Sequence, residues 1–310
     1  MTMFSLFKFT DTVLFPPIVD AETNLAERLG YTKNSKLLII HADDAGLSHS
    51  ENAATIRAFE ENSINSASIM IPCPWFQEIA SYAKSNPKLD FGIHLTLTSE
   101  WKNYKWGGVL PAKEIPSLVN NNGFFYAKVK EVIEHANYNE VEKELKAQIN
   151  RALAFGIQPT HIDTHMACLF ATAELFEIYI NLGKTYNLPL FIPMNVVKDY
   201  PQLVKKIDDF QIPIANYSMV LQDMPKEEWN AFYIKILKQL RPGVTQLLVH
   251  PAYDDREMQA IAIDHPSFGA TWRQNDFNTL QSAEFKDTLI ENNIKLVTWR
   301  EIKRLMIAPV

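Results

Sequence analysis

One pattern restricts the architecture of this chain more than any other. Short apolar, β-branched runs recur along it, and stretches with helical spacing fall between them. The runs are KLLIIHA (36–42), SASIMIP (66–72), DFGIHLTL (90–97), THIDTH (160–165), LPLFIP (188–193), GVTQLLVHP (243–251) and IKLVTW (294–299), with a weaker one, IPIANYS, at 212–218. Helical spacing falls at 50–62, 138–155, 170–186, 225–240 and 279–292. In 138–155, Val141, Leu145, Ile149 and Ala152 share one face, and Gly156 offers a C-terminal cap. SHSE, Ser48 to Glu51, fits a capping box. Strands that alternate with helices pair in parallel and are covered by those helices. About seven such units predict an α/β fold, a (β/α) barrel that is incomplete or distorted.

The rhythm breaks at 98–136, which holds Trp101, Tyr104, Trp106, Pro111 and Pro116. A loop that long and aromatic is a candidate lid or substrate wall, and otherwise a packed excursion. The chain therefore reads as an N-terminal arm (1–35) followed by one domain (36–310) with an insertion at about 98–136.

Composition excludes several classes. The net charge of −6 gives no bulk attraction to nucleic acid or to an anionic membrane. Glycine, 10 in 310 residues, is too scarce for Gly-rich phosphate loops. The two cysteines, Cys73 and Cys168, make neither a disulfide framework nor a Cys-rich zinc site. No apolar run approaches membrane-spanning length. The first residues are apolar but broken by Lys8 and Asp11, without the layout of a signal peptide. A cytoplasmic location is expected, or a periplasmic one if the N-terminus has been trimmed. The oligomeric state is open, a homo-oligomer included.

In parallel α/β folds the working residues sit at the C-terminal ends of strands. Asp43 and Asp44 follow the first run, and His94 lies in the third. His161, Asp163 and His165 fall in HIDTH, and His250 ends QLLVH. The fold would gather these groups on one rim. Each has an ordinary alternative: an Asp after a strand caps the next helix, and a lone strand histidine is more often a hydrogen-bonded core residue. Alternation sends 161, 163 and 165 to one side, where a metal or a hydrogen-bond network would satisfy them. One carboxylate and two imidazoles make a three-ligand site with open positions. A second carboxylate beside the first can then take a proton from metal-activated water, and a histidine across the rim can protonate a leaving amine.

LLIIHADDAGLS, FGIHLTLT, PTHIDTH and LLVHPA resemble, in order and spacing, the motifs of the YdjC-like carbohydrate deacetylases, distant relatives of the NodB polysaccharide deacetylases. The resemblance runs from about residue 36 to TWREI at 298–302. It implies a barrel-like fold, one divalent ion (magnesium or zinc), and hydrolysis of an N-acetyl group on an amino sugar or oligosaccharide. By the same resemblance Asp44, His94 and His165 are the metal ligands, Asp43 is the base and His250 the acid. Asp163 and His161 then orient His165 or line the pocket. Trp101, Tyr104, Trp106 and Trp272 are candidate sugar-stacking rings, with Trp299 assigned to the core. The chain departs from the pattern at His41, where Asn is common, at Ala45, where Phe is frequent, and at Met166–Cys168, where further histidines often follow. Two other readings stand beside the deacetylase: a metal-dependent amidohydrolase with a different acyl substrate, and a catalytically silent carbohydrate-binding protein. The presence of every proposed ligand and of the base speaks against the last.

Overall fold

The structure, a computed structural model, describes residues 25–193, 196, 199–204, 216–218 and 224–307. Its strands are β1 (Lys36–Ala45), β2 (Ser66–Ile69), β3 (Phe91–Leu95), β4 (Ile162–Thr164), β5 (Asn216–Ser218), β6 (Gly243–Val249) and β7 (Lys295–Leu296). All pairs are parallel, in the order β4-β3-β2-β1-β6-β5, and β7 pairs with the lower part of β1 at Leu37 and Leu38. Among the described residues no pair closes β5 onto β4, so the sheet they form is open.

The sheet is nevertheless strongly curved. Asp163 on β4 and His41 on β1 lie three strand spacings apart, about 14 Å in a flat sheet. Their side chains meet at 2.9 Å. Only curling brings them together.

The strands sort their residues into two layers. Leu38, Ile40 and Ala42 of β1 face outward into the large core shared with the helices. Leu37 and Ile39 face inward and pack with Val244, Leu248, Phe191, Val297 and Trp299; Leu25 and Ala26, from the one-turn helix Leu25–Arg28, join this cluster. Above that apolar floor the interior turns polar. Trp299 Nε1 donates to Gln246 Oε1 at 2.9 Å, and the His161 ring stacks on Trp299.

The helices that matter for the site are α1 (His49–Glu60), α2 (Phe76–Ser85), α3 (Val129–His135), α4 (Tyr138–Ala154), α5 (Ala173–Tyr186), α6 (Trp229–Gln239), α7 (Arg256–Ile261), α8 (Ala270–Gln281), α9 (Ala283–Glu291) and α10 (Trp299–Ile307). In α4 the four apolar positions read from the sequence are fully buried, and Gly156, with φ of 86°, carries the chain out of the helix.

Three expectations are corrected. The strand expected at 188–193 reduces to one parallel bridge, Leu190 to Ile162. The helix expected at 279–292 is two helices, because Ser282 stops α8 and caps α9 by accepting from Phe285 N. Ser48 caps α1 through Glu51 N, but the Glu51 side chain does not return to it and is buried against Arg273 instead. Of the weaker run at 212–218, residues 212–215 lie outside the described residues.

Candidate metal centre at the strand ends

Alternation would send Asp43 and Asp44 to opposite faces of β1. A bulge prevents this. Between Ala42 and Ala45, β1 spends one more residue than β2 does between Ala67 and Ile69. Asp44 takes a left-handed conformation, with φ of 65°, which aspartate tolerates better than most residues. Both carboxylates then serve the same rim.

Asp44 Oδ1 lies 3.3 Å from His94 Nε2 and 3.1 Å from His165 Nδ1, and the two nitrogens are 3.3 Å apart. A tetrahedral ion with bonds of ~2.05 Å spaces its ligands about 3.3 Å apart. An octahedral one at ~2.1 Å spaces neighbours about 3.0 Å apart. The triangle falls in that window. Asp44 Oδ1 is buried and without a hydrogen bond, an orphaned lone pair at the centre of the cluster. The donor set and its spacing fit a divalent cation.

The other nitrogen of each imidazole is already committed. His94 Nδ1 lies 2.8 Å from Asp163 Oδ1, its in-register neighbour on β4. His165 Nε2 lies 3.1 Å from both oxygens of Glu100. These contacts fix the tautomers that leave Nε2 of His94 and Nδ1 of His165 facing Asp44. Two alternative groupings, Asp43 with His94 and Asp163, and His41 with His161 and Asp163, also bring ligand atoms close. Both consist of groups already in contact with one another, at 2.8 Å for His94 to Asp163 and 2.9 Å for His41 to Asp163.

Arg273, from α8, fills the remaining side of Asp44. Its Nη2 donates to Asp44 Oδ2 at 2.8 Å, its Nη1 to Glu51 Oε1 at 2.6 Å and its Nε to the Phe268 carbonyl at 2.7 Å. The guanidinium thus takes one oxygen of Asp44 and leaves the other to the triangle. Neither Glu100 nor Arg273 stood out in the sequence. Asp163 contacts His94, where the resemblance implied that it orients His165 or lines the pocket. His161 sits one layer deeper: Nδ1 is 3.0 Å from Thr160 Oγ1, and Nε2 makes no hydrogen bond and lies 3.9 Å from Asp163 Oδ2. His165 escapes strand alternation because β4 ends at Thr164 and a 3₁₀ turn, Met166 and Ala167 both left-handed, follows.

The electrostatics follow from burial opposed by close charge. Burial raises the Asp44 carboxyl, but Arg273 and His165 overcome it and hold the group well below the usual range. Burial lowers His94, yet Asp163 and Asp43 drive it well above the ordinary histidine value. Burial likewise opposes charge on His165, while Glu100 and Asp44 lift it to about 9. In the metal-free site, protons thus occupy places that suit a cation.

Asp43 sits beside this triangle rather than in it. Its Oδ1 is 3.0 Å from His41 Nε2 and its Oδ2 is 3.9 Å from His250 Nε2. His250 is held at its backbone, where its N–H donates to Asp276 Oδ2 at 2.8 Å. Burial prevails over the attraction of Asp44 and Asp43 and pushes the His250 ring down to about 4. The aromatic candidates are closed in: Trp101 is 1 % exposed, packed near Arg273 and His265, and Trp106 is 3 % exposed, near His165. Trp272 is buried against His250 and Phe268, and Tyr104 donates its hydroxyl to the Leu47 carbonyl. Trp299 is core. No helix among the described residues is long and apolar enough to cross a membrane.

Residues 37–291 match the model of the family described as YdjC-like protein. A carbohydrate deacetylase of Thermus thermophilus is 31 % identical over 289 residues, which is 91 % of this chain and 99 % of the relative. One from Clostridium beijerinckii is 28 % identical over 86 % of this chain and 99 % of its own. The crystal structure of an Enterococcus faecalis protein named for cellobiose-phosphate cleavage superposes with a TM-score of 0.71 at 26 % identity, covering 86 % of this chain and 99 % of that one. With its bulged Asp pair, its two rim histidines and a family match over most of its length, this chain belongs to the YdjC-like family.

Proposed function

We propose that the protein is a metal-dependent carbohydrate deacetylase that removes an N-acetyl group from an amino sugar or oligosaccharide. The observation that carries this reading is the triangle of Asp44 Oδ1, His94 Nε2 and His165 Nδ1 with the unligated Asp43 beside it. The names of the related deacetylases support the substrate class. A divalent ion held by Asp44, His94 and His165 would supply Lewis acidity and acidify a water. Two nitrogens and one oxygen suit zinc or manganese, whereas magnesium prefers oxygen.

The protein's own groups then divide the proton work. Asp43 accepts the proton of the attacking water. The amide C–N bond breaks, acetate departs and the sugar amine takes a proton. His250 is neutral at pH 7 with its pKa at about 4, so it begins as an acceptor rather than a donor. Its Nε2, 3.9 Å from Asp43 Oδ2, places it to relay the proton collected by Asp43 toward the amine.

The test combines metal content with acetate release from N-acetylglucosamine oligomers. About one divalent ion per chain is expected in the wild type, lost in Asp44→Ala and His94→Ala. Asp43→Asn is expected to keep the ion and lose turnover by at least about 100-fold. A wild type that binds no ion after exposure to zinc, manganese and magnesium would overturn the proposal.

A further inference from the structure

His41 lies three residues before Asp44, is fully buried and faces the barrel interior from β1. Both of its ring nitrogens are engaged. Nδ1 is 2.8 Å from Ser66 Oγ. Nε2 is 2.9 Å from Asp163 Oδ2, 3.0 Å from Asp43 Oδ1 and 3.2 Å from Ser68 Oγ. The Ser66 hydroxyl can accept from Nδ1 through a lone pair. Each ring nitrogen thus meets an acceptor, an arrangement that suits a doubly protonated imidazole. Burial opposes the charge, but Asp163 and Asp43 outweigh it and lift the ring to about 9.

The identity of the partners gives the arrangement its meaning. Asp163 accepts from His41 through one oxygen and from His94 through the other, so one carboxylate spans His41 and a metal-ligand candidate. Asp43 Oδ1 sits 3.0 Å from the same Nε2 and has no hydrogen bond. That contact restrains the carboxylate through Oδ1 and leaves its other oxygen, Oδ2, on the His250 side.

We propose that His41 is a positioning residue that ties Asp43 to His94 through Asp163 and so fixes the base relative to the metal triangle. The proposal rests on the reading of Asp43 as the base. A space-filling residue could be replaced by leucine without consequence; a two-sided donor could not. Glutamine places an amide nitrogen with two hydrogens near the position of Nε2 and can serve both carboxylates.

The experiment uses the full chain loaded with zinc, as wild type, His41→Leu and His41→Gln. Deacetylation of N-acetylglucosamine oligomers is followed alongside NMR of ring-¹⁵N-labelled histidines. His41→Leu should lower kcat by about 10–100-fold with KM within about twofold, and His41→Gln should recover about tenfold of that loss. The wild type should show a pair of imidazole N–H signals absent from both variants, and Asp43→Asn should shift one of them. A leucine variant with wild-type kcat, a glutamine variant no better than leucine, or an imidazole pair indifferent to Asp43→Asn would overturn the proposal. If the wild type releases no acetate, the deacetylase reading fails on its own. The NMR response to Asp43→Asn still decides whether His41 and Asp43 are tied, and it also decides the matter if the leucine variant does not fold.

Discussion

Asp44 answers two demands at once: one oxygen faces the triangle and the other is bound by Arg273. The guanidinium is itself buried between Asp44 and Glu51, so each of the three charges depends on the others. Arg273→Met should destabilise the protein by about 3–5 kcal/mol in urea unfolding, because two buried carboxylates lose their counter-ion. Adding Glu51→Gln should recover part of that loss, since it removes a carboxylate whose charge burial opposes once Arg273 is gone. Glu100 holds the far nitrogen of His165; Glu100→Gln should weaken metal binding by about 10–100-fold in a metal titration, with little change in the fold. The ligand candidates themselves were legible because a polar residue at the end of an apolar run is conspicuous. Glu100, Glu51 and Arg273 were not. They sit on a loop and on helices, where charged residues ordinarily meet water, and their partners are 65, 222 and 229 positions away.

At the scale of elements, the pairing of Asp43 with Asp44 was readable and its mechanism was not. Alternation places the two on opposite faces, and only the register against β2 reveals the extra residue. The same limit explains 279–292. Apolar spacing continues across Ser282, so periodicity joins what a serine cap divides. Ser282→Ala should cost about 1 kcal/mol in urea unfolding, with Asn or Asp at the position costing less. At 188–193 an apolar run of strand composition contributes one bridge, because the run supplies Phe191 and Leu190 to the core rather than a ladder. The α4 face and its Gly156 exit were fully legible, since both depend on neighbours in sequence.

For the whole molecule, the charge balance of the interior predicts how pH acts. His165 is lifted from 6.5 to about 9, so in metal-free protein its contribution to stability is full below pH 6.5 and is lost as pH rises through 9. His250 is depressed from 6.5 to about 4, so its contribution is present above pH 6.5 and is lost as pH falls through 4. Chelator-treated protein should therefore lose up to about 3 kcal/mol between pH 6.5 and 9 from His165 alone. Zinc-loaded protein should lose less, because the ion takes the proton's place. His41, also lifted to about 9, adds the same slope to both forms, so the difference isolates the triangle. Equal losses in urea midpoints with and without zinc would count against the site.

The distance in sequence between Arg273 and Asp44 also bears on synthesis. The Asp pair and the first rim histidine emerge early, but Asp44 cannot meet its guanidinium until α8 has left the ribosome, 229 residues later. A nascent chain holds its carboxylates without their counter-ion through most of translation. Neutralisation of Asp44 by its guanidinium is thereby a late event, a mark that elongation has passed residue 273.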